Sequence, residues 1–149
     1  MFKKIFVFTL SLILVSTFFL FQRQPLFKNY GNDFEIYLSE GGSLSQIVVV
    51  SKQDFVLYGD VKGESCVILK NEFSVGDFFA DFNAEILFSE MVEEGVSYYG
   101  YSSKIKYAES IDGKRVNLHV FVGKTQIKVG SPIIYGSFWK RVYKKLKWE

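Results

Sequence analysis

The chain has 149 residues, a formal net charge of +2, one cysteine and one histidine. A single cysteine excludes an intramolecular disulfide, and Cys66 with His119 supplies too few ligands for a zinc cluster. An 18% aromatic content with 2 prolines excludes a disordered or low-complexity chain and favours β structure over a helical bundle.

The N-terminus opens with Lys3 and Lys4, followed by 17 uncharged, mostly apolar residues, 5–21. As a helix that run is about 25 Å long, slightly short of a typical bilayer core. Signal peptides share this design. The end of the run is bulky up to Arg23, with Ser16 and Thr17 as its small residues, a poor cleavage site. Residues 1–23 therefore read as a signal anchor, a single-pass transmembrane helix. Its basic flank puts the N-terminus in the cytoplasm and everything after residue 23 outside. Cleavage would instead release a secreted domain.

About 126 residues follow, enough for one domain with a core. Residues 24–33 read as a linker and 34–137 as an extracytoplasmic domain. Strands are expected at 34–38, 46–50, 54–61 and 66–69, with a turn at 62–65. The unbroken apolar run at 46–50 predicts a strand buried on both faces. Cys66 fits a small buried hydrophobe.

One helix is signalled clearly. Ser74 is an N-cap, Asp77 sits at N3, and Phe73 and Phe78 are spaced for a hydrophobic staple. Phe78, Phe79 and Phe82 then share one side. Strands follow at 85–91, 96–102, 104–111, 115–122 and 126–129. Asp112-Gly113 is a strong hairpin turn, and Gly123-Lys124 a second one. Val116, Leu118, Val120 and Val122 alternate onto one face; Arg115, Asn117, His119 and Phe121 take the other. The fold expected is α+β: one helix packed on a curved antiparallel sheet of meander type. Whether residues 34–69 join that sheet stays open.

Residues 138–149 differ in kind. Wound as a short amphipathic helix, they gather Phe138, Trp139, Val142, Tyr143 and Leu146 on one stripe. The tail carries five bases against one acid, whereas residues 24–137 carry ten bases against fifteen acids. It reads either as a covering helix with a solvated basic face or as a membrane-surface contact through Trp139, Lys140, Arg141, Lys144, Lys145 and Lys147.

Signals for chemistry are few. His119 lies mid-strand, away from the loops where catalytic groups concentrate, and no Ser or Cys relay is spelled around it. Glu93-Glu94 reads as an exposed turn, and Gly41-Gly42 lacks the Lys and Ser/Thr of a phosphate loop. Tyr99 and Tyr101 fall on one face of their strand. With Asn117, His119 and Phe121 they form the candidate interaction surface. No cofactor or metal is expected. The acidic balance of residues 24–137 argues against nucleic acid.

Tyr101-Ser102, Asn117-Leu118 and Gly130-Ser131-Pro132 also carry a resemblance. Residues 73–135 resemble the C-terminal half of the YwmB-like proteins of spore-forming Firmicutes. That resemblance implies an extracytoplasmic location, a TATA-box-binding-protein-like fold and no catalytic residues. Residues 34–69 do not visibly supply the family's other half. The expected function is a membrane-anchored, non-catalytic domain that binds or positions an envelope protein. Alternatives are a module binding a small molecule, lipid or wall fragment between helix and sheet, and a hydrolase with dispersed carboxylates.

Overall fold

The computed structural model describes residues 2–20, 24–38, 47–57, 61–68 and 72–135. The tail at 138–149, with all six of its candidate contact residues, lies outside them. The chain begins with helix α1 (Phe2–Leu20). Its apolar side chains lie open, with Phe8 at 71% and Leu14 at 62% exposure. Among the described residues no helix is long and apolar enough to cross a membrane. Side chains of α1 are described only from residue 4 to residue 17.

The domain is α+β. Seven of its strands form one antiparallel sheet: β1 (Asp33–Leu38), β2 (Ile47–Ser51), β3 (Val61–Val67), β4 (Glu85–Val92), β5 (Gly95–Tyr101), β8 (Leu118–Gly123) and β9 (Ile127–Ser131). Their order is β2-β1-β3-β9-β8-β5-β4. A small hairpin, β6 (Glu109–Ile111) and β7 (Lys114–Val116), is inserted between β5 and β8. Strands β1, β2 and β3, all from residues up to 67, thus join the same sheet as the meander, through β3 pairing β9 from Glu64↔Ser131 to Val67↔Lys128.

Helix α2 (Val75–Asp81) packs on one sheet face. Ser74 Oγ accepts from Asp77 N at 3.2 Å, and the Phe73 and Phe78 rings meet at 5.6 Å, as the capping pattern predicts. The helix stops in a Schellman turn. Asn83, at φ 50, donates to Ala80 O, and Ala84 N donates to Phe79 O, both at 2.9 Å. Phe79 can approach the sheet closely because Gly100 sits beneath it; a Cβ there would fall 2.3 Å from the ring. Phe27, Phe78 and Phe82 pack ring to ring at 5.1 to 5.9 Å above Phe34, Ile36 and Val120. The space between helix and sheet is therefore filled by aromatic side chains.

Several expectations change. Residues 24–32 do not behave as a linker, since Phe27 and Tyr30 are buried core residues. Strand β2 is an edge strand, and alternation leaves Val49 at 69% exposure while Val50 is buried. Of the strand expected at 54–61, Asp54–Leu57 is a 3-10 turn, Val61 opens β3, and residues 58–60 lie outside the described residues. Ser51 Oγ donates to Asp54 Oδ2 at 2.8 Å and accepts from Asp54 N, and Phe55 plugs into the core against Phe34. The polar stretch expected as a turn at 62–65 is the middle of β3. There Glu64 and Ser65 are buried and hydrogen-bonded. Of 104–111 only Glu109–Ile111 is strand. The Asp112-Gly113 turn is present, with φ of 49 and 75. The second hairpin turns one residue later than expected: Gly123 N bonds Gln126 O at 2.9 Å, leaving Lys124 and Thr125 at the tip.

Candidate functional site

The five residues of the expected interaction surface do not form one. Tyr99, Asn117 and His119 are buried, and Tyr101 and Phe121 are half-buried. The cause is a second layer on the sheet face opposite α2. After the cis Ser131–Pro132 bond the chain doubles back across that face, over Gly130, where a Cβ would meet Ile134 at 2.7 Å. Ile133 then packs with Tyr99 and Val116, and with Leu87, Phe88 and Ile111 at the edge of that group.

His119, at 2% exposure, is held in this layer. Its ring stacks on Tyr99 at 4.3 Å and 18°, and Tyr99 stacks on Phe88 at 4.7 Å and 19°. Its Nδ1 accepts from Ile134 N at 3.1 Å, so the geometry assigns the neutral tautomer protonated at Nε2. Tyr99 O–H donates to Glu90 at 2.6 Å. Asn117 is a bracket. Its Oδ1 accepts from Ser102 N at 2.7 Å, and its Nδ2 donates to Ser102 O at 2.7 Å and Ile105 O at 3.0 Å. Ser102 Oγ in turn donates to Phe82 O at 2.6 Å, tying the end of α2 to the end of β5. These motif residues act in packing and hydrogen bonding.

A polar chain crosses the same face beside the stack. Tyr37 O–H donates to Ser65 Oγ at 2.9 Å, and Ser65 Oγ donates to Glu35 Oε2 at 3.1 Å. Lys128 pairs with that same oxygen at 2.7 Å. Burial, partly countered by the bond to Ser65, pushes the Tyr37 hydroxyl up to about 12. Burial, with the Glu64 carboxylate nearby, pushes the Cys66 thiol up to about 12. That thiol stays protonated at neutral pH, the state of a packing residue and not of a nucleophile.

Clefts open on the described surface, and two of them bear on function. The smaller, about 200 Å³, runs along β1 and β3 past the Glu35–Lys128 pair. The larger, about 380 Å³, lies where residues 24–26, the start of β3, the end of β9 and residues 104–107 converge. Buried Glu64 and Ser131 line it, and the exposed Lys62, Lys104 and Lys106 stand around it. Glu64 Oε1 also accepts from Phe27 N at 3.0 Å, which clamps the 24–32 segment onto β3.

Sequence reasoning missed this convergence. Nothing local marked Glu64, because Lys62, Gly63, Glu64 and Ser65 read as a turn; a strand interior buries charge only where it is hydrogen-bonded. The lysines gave no signal either, since tertiary structure alone brings them together. Comparison of the chain with family models, with curated proteins and with solved structures finds no match in any of the three.

Proposed function

We propose that this chain is a membrane-anchored, extracytoplasmic, non-catalytic domain that binds or positions an envelope protein. The observation that carries the reading is α1. Ile5, Phe6, Val7, Phe8, Leu10 and Leu12 all stand exposed, so the helix is apolar around its whole circumference. A helix of that kind needs an apolar surrounding. Its hydroxyls are already satisfied: Thr9, Ser11, Ser16 and Thr17 each donate to a carbonyl one turn back, at 2.8 to 3.0 Å. No side-chain donor between residues 5 and 17 would then be stranded in hydrocarbon. Lys3 and Lys4 orient the anchor. The basic tail adds a second membrane contact through Trp139, Lys140, Arg141, Lys144, Lys145 and Lys147, and the tether raises its effective concentration.

The partner is taken at the edge of β4, which among the described residues is the outermost strand on its side of the sheet. There Met91 stands at 89% exposure, and Ile86 is open nearer the other end of the strand. An edge strand offers unpaired backbone groups to an added strand. The non-catalytic part of the reading is supported by His119 and Cys66, both engaged in packing.

Two measurements on cells test this. Alkaline carbonate washing leaves the full chain in the membrane pellet, and protease added outside digests the domain; full chain in the wash overturns anchorage. A photo-crosslinker at Met91 gives a discrete protein adduct that one at Lys124 does not; no adduct at Met91 overturns the β4 contact.

A further inference from the structure

The larger cleft has a chemistry that the anchor reading does not use. Residues 24–137 carry ten bases against fifteen acids, so this domain has a net charge of −5. Three of those ten bases, Lys62, Lys104 and Lys106, nevertheless stand around one concavity. They arrive from two separate stretches of chain, the start of β3 and the loop between β5 and β6. The concavity has a built interior. Glu64 and Ser131 line it from buried positions, and Leu26, Val61 and Ile105 give it apolar wall. Its volume of about 380 Å³ lies within the ordinary range of ligand clefts.

Its position along the chain is equally specific. Gln24 and Leu26 line the cleft, and α1 ends at Leu20. Four residue steps span at most about 14 Å, so the cleft edge stays within that distance of the helix end whatever path the chain takes between them. With α1 in a bilayer, the Gln24 edge of the cleft is held close to the headgroup layer. There each basic residue gains from anionic lipid, while the acidic remainder of the domain is repelled.

We propose that this cleft binds the phosphodiester headgroup of an anionic, hydroxyl-bearing lipid. The phosphate sits among Lys62, Lys104 and Lys106. The headgroup hydroxyls point inward, where the Glu64 carboxylate and the Ser131 hydroxyl can accept from them. The acidic interior also discriminates between sources of phosphate. A free phosphate dianion entering fully would meet Glu64, whereas a headgroup holds its single negative charge at the rim. The choice of a lipid over a soluble anion rests on the reading of α1 as a membrane anchor.

The test uses the full chain in neutral detergent micelles. Dihexanoyl phosphatidylglycerol, glycerol phosphate and inorganic phosphate are titrated separately, and backbone amides are followed by NMR. The expected result is saturable shifts at residues 62–64 and 104–107 with the lipid, and much weaker ones with inorganic phosphate. The triple variant Lys62→Gln, Lys104→Gln, Lys106→Gln binds the lipid about ten-fold more weakly or worse, with an unchanged unfolding midpoint. Lys124→Gln, at a hairpin tip, binds as the parent does. Equal shifts with inorganic phosphate would assign the cleft to free phosphate and overturn the lipid. Unchanged lipid affinity in the triple variant overturns the site. Insertion of α1 is not needed in micelles, so failure here and failure of carbonate retention are read separately.

Discussion

Asn117 shows how much a single buried amide can hold. It is fully buried and satisfies Ser102 N, Ser102 O and Ile105 O at once. Asn117→Ala strands those backbone groups away from water and should cost about 2–4 kcal/mol, measured as a lower urea midpoint. Asn117→Asp should be no better, because it loses both donors and turns a carboxylate toward two carbonyls. His119 belongs to the same logic. Its alternation partners were legible in the sequence, and its burial was not. Strand periodicity assigns a residue to a face, but whether that face meets water depends on what the distant 132–135 segment lays over it.

At the scale of elements, α2 was the most legible part of the chain. Its cap, its N3 acid and its staple are local interactions within a few residues, and the structure shows the cap and staple in place. Ser74→Ala should destabilise the fold by about 1 kcal/mol, read as a shift of the denaturation midpoint with unchanged slope. Strand assignment failed where polar residues sit inside a strand. Lys62, Gly63, Glu64 and Ser65 look like a turn, yet Glu64 is bonded by Phe27 N and Ser65 by Tyr37 and Glu35. Those partners compensate the cost of burying polar groups in β3, and none is near in sequence. The 3-10 turn at Asp54–Leu57 failed for the opposite reason. Its apolar composition suited a strand, but the short Ser51–Asp54 hydrogen bonds capture the backbone first.

Across the whole molecule, protons held by burial couple the fold to alkaline pH. Tyr37 and Cys66 keep their protons to about 12 in the fold, against ordinary values of 10.0 and 9.0. Tyr30 and Tyr135 are raised as well, first by burial and then by neighbouring carboxylates, Asp81 and Glu109. Between pH 9 and 12 the unfolded chain therefore binds fewer protons than the folded one. Stability should be full below about pH 9 and fall progressively as pH rises through that window. Urea midpoints at pH 8, 10 and 11 check the sign, and a flat profile would contradict the burial of these groups.

By itself the sequence determined what short-range physics decides: an apolar N-terminal segment behind two lysines, a capped helix, the Asp112-Gly113 turn and the antiparallel hairpins around it. Capping, left-handed backbone at a turn and side-chain alternation all act within a few residues. Tertiary structure alone decided that β3 pairs with β9, that the face carrying His119 is covered, and that Lys62, Lys104 and Lys106 surround one cleft above Glu64. These depend on desolvation and on strand pairing between distant segments, and the energy of each lies in a partner that no local stretch of sequence contains.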